Sequence, residues 1–90
     1  MYRIFLTDEF LKRLNKLEPP IKKKLDKKIN EYVSPQLKKE PHVGRNIKKL
    51  RAYKPETWRY RIGNFRLFYI IDEKEKIVAM LSLDHRKGAY

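Results

Sequence analysis

Ninety residues fit a single domain, 1–90, with no room for a second. The 23 Lys and Arg outnumber the 11 Asp and Glu, for a net charge of +12, a field that draws nucleic acid, acidic protein or anionic lipid and opposes compaction by self-repulsion. With no cysteine and only His42 and His85, disulfides and thiolate metal sites are excluded and neither a metal nor another cofactor is expected.

Membrane association is not expected either. The longest apolar runs, Leu67 to Ile71 and Ile77 to Leu81, span five residues each, against the ~20 of a membrane-spanning helix. The stretch before Asp8 and Glu9 lacks the apolar core of a signal peptide. The expected location is the cytoplasm.

In chain order, Tyr2 to Thr7 reads as a strand with Ile4 and Leu6 on one face. Asp8 is the expected N-cap of a helix carrying Phe10, Leu14 and Leu17 at helical spacing. Pro19-Pro20 ends it, and Pro20 suits the first turn of a second helix whose apolar stripe holds Ile21, Leu25, Ile29 and Tyr32. Lys22, Lys23, Lys24, Lys27 and Lys28 occupy its other faces. Ser34 to Gly44, with Pro35 and Pro41, reads as a loop. The period then changes to that of strands: Asn46 to Tyr53, with Ile47 and Leu50 inward, then Thr57 to Ile62, Phe65 to Ile71 and Lys76 to Leu83. The fold class is α+β: an N-terminal strand, a helical hairpin, then a four-stranded antiparallel run, β-α-α-β-β-β-β.

Gly63-Asn64 is a two-residue hairpin signal. It sets Ile62 against Phe65, Arg61 against Arg66 and Arg59 against Phe68. Trp58, Tyr60 and Ile62 then face one way, and Arg59, Arg61 and Arg66 the other. Like charges directly opposite cost ~0.2–1 kcal/mol. Three guanidiniums around Phe68 suit a phosphate backbone and a stacked base, so Arg59 and Phe68 are candidate nucleic-acid contacts; a merely solvated basic face is the alternative. The lysines of the second helix are spread around its polar face, as solvation requires. His85 is the one side chain of the second half whose ordinary pKa lies near neutrality, which makes it a candidate proton donor or acceptor. His42, in the expected loop, reads as a surface residue.

The segment Trp58-Arg59-Tyr60-Arg61-Ile62-Gly63-Asn64-Phe65-Arg66-Leu67-Phe68-Tyr69 resembles the Y-R-x-R-x-G-x-Y-R-x-x-Y hairpin of the RelE/ParE toxin superfamily. The terminal His85-Arg86-x-x-x-Tyr90 is similar to that family's H-R-x-x-x-Y ending, and the order of elements extends the resemblance over essentially the whole chain. It implies a RelE-like fold and, on the RelE side, a metal-independent endoribonuclease that cuts messenger RNA in the ribosomal A site. The implied catalytic set is Arg61, Arg66, His85, Arg86 and Tyr90, with Arg59, Phe68 and Lys87 as RNA contacts. Arginine is a poor proton shuttle because its pKa exceeds ~12. Charge stabilisation therefore falls to Arg61, Arg66 and Arg86, and proton transfer or base stacking to His85 or Tyr90.

The implied partners are the ribosome, messenger RNA and an acidic RelB-like antitoxin, with operator DNA met only through the antitoxin complex. The rival readings are a ParE-like inhibitor of DNA gyrase that cuts no RNA, and a non-catalytic partner whose charge serves its antitoxin or operator DNA.

Overall fold

The computed structural model describes residues 1–85. Strand β1 (Arg3–Leu6) leads into α1 (Asp8–Asn15), α2 (Pro19–Lys28), a π-turn (Ile29–Val33) and α3 (Ser34–Lys39). Strands β2 (Ile47–Lys49), β3 (Trp58–Ile62), β4 (Phe65–Asp72) and β5 (Ile77–His85) follow. They form one five-stranded sheet in the order β1-β5-β4-β3-β2, with β1 parallel to β5 and the other pairs antiparallel. This is the α+β order expected from the sequence, with three local differences.

The first difference is an additional helix. Ser34 to Lys39 is helical rather than loop. The chain passes from α2 into α3 through the π-turn, where the Ser34 N–H donates to the Ile29 carbonyl five residues back. Pro35 has no N–H to donate, and it sits in the first turn of α3, where none is needed. The second difference is the α1 cap. Thr7, not Asp8, is the N-cap: its hydroxyl accepts from the Phe10 N–H at 3.2 Å, leaving Asp8 and Glu9 in the first turn where the helix dipole favours them. The third is β2, which stops at Lys49. Leu50 to Thr57 closes a loop instead, through the Leu50 N–H to the Thr57 carbonyl at 2.9 Å.

The core lies between the helices and one sheet face. Phe10, Leu14, Leu25, Ile29, Val33 and Leu37 meet Tyr60, Ile62, Leu67, Tyr69, Met80 and Leu83. Of the apolar stripe expected on the second helix, Leu25 and Ile29 are buried as read, whereas Ile21 and Tyr32 are exposed. A β-bulge breaks the alternation of β5. Phe68 pairs with Ser82 and Tyr69 with Met80, so Leu81 is an extra residue and the phase of β5 changes there. Met80 and Leu83, three apart, are therefore both buried.

His42 is no bland surface residue. Its Nδ1 lies 2.9 Å from a Glu40 oxygen and its Nε2 is bonded to Glu73, and its ring stands edge-on to Tyr2 and Trp58. The Tyr2 hydroxyl donates to the other Glu73 oxygen at 2.7 Å. Carboxylates only accept, so both ring nitrogens must donate, and the geometry asks for the imidazolium. The Glu73 hydrogen bond, followed by that of Glu40, raises the His42 pKa above its ordinary 6.5, while His42 lowers both glutamates. The signs follow from linkage. The stability from His42 is complete below the unfolded histidine pKa and is lost as pH rises through the raised folded value. That from the glutamates is present above their ordinary pKa and is lost as pH falls through the lowered ones. His42→Asn should therefore reduce the urea midpoint more at about pH 6 than at about pH 9. An equal loss at both would show that the imidazolium contributes nothing.

Candidate nucleic-acid interface

The helices cover one side of the sheet and leave part of the other side open. The Gly63-Asn64 turn controls what that open side displays. Gly63 adopts φ 54°, in the left-handed region that glycine enters without steric cost, at the first position of the two-residue loop. Tight closure fixes the register: Ile62 opposite Phe65, Arg61 opposite Arg66, Arg59 opposite Phe68. This is the register read from the sequence.

With Tyr60, Ile62 and Leu67 buried under the helices, the alternating residues point outward as two rows. One row runs Lys48, Arg59, Phe68, Ser82 across β2 to β5, and the other runs Arg61, Arg66, Asp84 across β3 to β5. Four cations thus meet one carboxylate on a single face. Asp84 takes Arg66 at 3.0 Å through Nη2, and the Arg66 guanidinium carbon lies 5.8 Å from the centre of the Phe68 ring. The Arg61–Arg66 repulsion read from the hairpin is therefore offset on its far side by a third strand. Asp84 could not be placed there from the sequence, because the bulge at Leu81 sets its face.

Among the described residues neither Arg59 nor Arg61 is ion-paired. The Nε atoms of Arg59 and Arg66 are buried without a hydrogen-bond partner. A buried donor left unmade costs about 1–3 kcal/mol, so two guanidinium donors of this face have no protein acceptor to offset their burial.

Of the other expected site residues, His85 does not join this row. His85 pairs with Phe65, and alternation turns it to the helix side, where its ring lies 4.7 Å from that of Phe65 and lines a cavity with Leu25 and Ile62. The sheet separates it from the outward face of Arg61 and Arg66. Arg86, Lys87 and Tyr90 lie outside the described residues. No group of three or more His, Cys, Asp or Glu able to hold a metal occurs among the described residues. Nor is any described helix long and apolar enough to cross a membrane.

Residues 4–90 match the family model of the ParE toxin of type II toxin–antitoxin systems. The chain belongs to the RelE/ParE toxin superfamily. A Methanocaldococcus jannaschii relative bearing the name RelE1 is 29% identical over 89 residues, 99% of this chain and 94% of that one. Among solved structures, the RelBE2 toxin–antitoxin complex of Mycobacterium tuberculosis contains a chain 30% identical, with TM-score 0.71 and coverage of 94% of this chain and 98% of that one. The archaeal RelE–RelB complex of Pyrococcus horikoshii matches in fold at 23% identity, TM-score 0.70 and 94% coverage of both chains. As a member of this superfamily, the chain is a toxin of a toxin–antitoxin system.

Proposed function

We propose that this toxin is a ribosome-dependent endoribonuclease that cuts messenger RNA in the A site and is neutralised by an acidic RelB-like antitoxin. The observation that carries the reading is the open cation face, on which Lys48, Arg59, Arg61 and Arg66 meet the single carboxylate of Asp84. Convergent guanidiniums suit the charge that grows on a phosphodiester under attack; the alternative reading is a ParE-like gyrase inhibitor. Antitoxin binding is supported by the net charge of +12 and by relatives whose structures are RelBE complexes.

In this scheme the ribose 2′-oxygen attacks the adjacent phosphorus, forming a cyclic phosphate and breaking the bond to the 5′-oxygen of the next nucleotide. The 2′-hydroxyl proton goes to a base, and the leaving 5′-oxygen takes up a proton. Negative charge grows on the non-bridging oxygens, where Arg61 and Arg66 stabilise it, with Arg86 assigned the same work. Asp84 orients Arg66. Because His85 faces the helices, proton transfer is assigned to Tyr90 in preference to it.

A translating extract tests the reading. Added protein should halt synthesis, and RNA ends should map within occupied A sites on ribosomes. The matching family model is the ParE one, so a gyrase supercoiling assay belongs beside it. Continued translation with inhibited gyrase would replace this reading by the ParE-like one.

A further inference from the structure

The open sheet face does not end at the arginines. Beyond them lies a cleft of about 430 Å³, lined by Phe68, Ser82 and Asp84 on the sheet, Arg13 on α1 and Tyr53 in the loop after β2. Its volume falls within the ~300–1,000 Å³ of small-molecule sites. Phe68 belongs to one cation row and Asp84 to the other, so the cleft and the phosphate-binding face are one continuous surface.

Each wall is braced from behind. Tyr53 sits in a loop closed by the Leu50 N–H to the Thr57 carbonyl at 2.9 Å and by the Thr57 hydroxyl to the Pro55 carbonyl at 2.9 Å. An ion pair between Lys49 and Glu56, also 2.9 Å, ties its two limbs together. Tyr53 is 56% exposed, although an aromatic ring favours burial; the loop holds it out of the core, beside the cleft. Arg13 rounds the β5 edge, its Nη1 donating to the Leu83 carbonyl at 3.4 Å while its Nε is bound by Glu9. Phe68 carries the Arg66 guanidinium near its ring.

Two aromatic rings, a guanidinium and a hydroxyl beside a row of cations form a site for a flat heteroaromatic ring joined to a phosphodiester. An acidic peptide would satisfy the arginines with carboxylates, but only a nucleotide strand sets a flat ring at a fixed distance from every anion. A base inside a duplex has both faces already stacked. An unpaired base has exposed faces, and every base can stack, whatever its hydrogen-bonding edge.

We propose that Tyr53, Phe68 and Arg13 form a subsite for one unpaired nucleobase of a strand whose phosphate lies on the Arg61–Arg66 row. The subsite rests on the RNA reading above, but its test does not depend on cleavage. The probe is a short single-stranded oligonucleotide carrying one 2-aminopurine. It is prepared as RNA and in a 2′-deoxy form that cannot undergo 2′-oxygen attack. Binding to the full chain should quench the fluorescence, as stacking does. A stacked base contributes ~1–3 kcal/mol, so Tyr53→Ala should weaken binding about 5- to 150-fold and abolish the quenching.

Stacking releases no counterions, so the slope of log K against log salt should be unchanged in Tyr53→Ala. Arg66→Ala should reduce that slope by about one and keep the quenching. Tyr53→Phe should behave as wild type and Tyr53→Leu as alanine, which separates stacking from simple apolar contact. Unaltered affinity and quenching in Tyr53→Ala would overturn the subsite. So would a reduced salt slope with quenching intact, or duplex binding as tight as single-strand binding. If the deoxy probe shows Tyr53-dependent quenching while RNA remains intact on ribosomes, the subsite stands and the nuclease reading fails.

Discussion

Arg66→Ala should lower single-turnover cleavage on programmed ribosomes about 10²–10³-fold, because a preorganised donor aimed at developing charge is worth roughly 3–4 kcal/mol at the transition state. The cation is preorganised on two sides, by Asp84 at 3.0 Å and by the Phe68 ring. No reorientation is then needed when phosphate charge grows, so the loss should fall on rate far more than on ribosome affinity. The variant should fold, since Arg66 points away from the core and the partly exposed Arg66–Asp84 pair contributes at most ~1 kcal/mol. Lys23→Ala, on the solvated face of α2, is the control: it should weaken binding slightly and leave the rate of the bound complex unchanged. Equal small losses in both would reduce the arginines to bulk charge.

The two strands around Gly63 were legible because the turn, the alternation and the register determine one another. Once a two-residue loop is set, Arg61 can only face Arg66, as it does. Beyond β4 that logic fails at the bulge. Counting alternation from Val78 through Met80 would bury Ser82, whereas Leu83 is buried instead. Thus neither the ion pair of Asp84 with Arg66 nor the turning of His85 toward Phe65 could be read from spacing. The helix at Ser34 was hidden by Pro35, which signals a break unless a π-turn precedes it. His42 and Tyr53 were missed for another reason. Glu73, 31 residues away from His42, gives that histidine its meaning. Tyr53 gains its meaning from Arg13 and Phe68, which only the tertiary fold brings to one cleft. The signal available for Tyr53 was an aromatic residue within the basic stretch Lys48 to Lys54.

Phe10→Ala should cost about 3–5 kcal/mol of stability, by lost transfer energy and the cavity left behind. A domain of this size has only ~5–15 kcal/mol in all. Phe10 is fully buried in the central cluster, and its backbone is part of the junction that sets α1 on the sheet. Its N–H donates to the Thr7 hydroxyl, whose single proton is shared between the Met80 and Leu81 carbonyls at 2.7 and 3.0 Å. That junction lies at the β5 bulge, where the phase of the strand changes and Asp84 is set facing Arg66. Losing the side chain beneath it should loosen α1, and with α1 the Arg13 wall of the cleft. Urea denaturation should show a midpoint far below wild type, and Phe10→Leu should lose much less because most of the volume is retained. The milder variant carries the functional readout. With the fold intact, Phe10→Leu should weaken the aminopurine probe through Arg13 while sparing the salt slope set by Arg59, Arg61 and Arg66. A loss below about 1 kcal/mol in Phe10→Ala would mean that α1 is held by its cap rather than its core residue, because a cap alone contributes only ~1 kcal/mol.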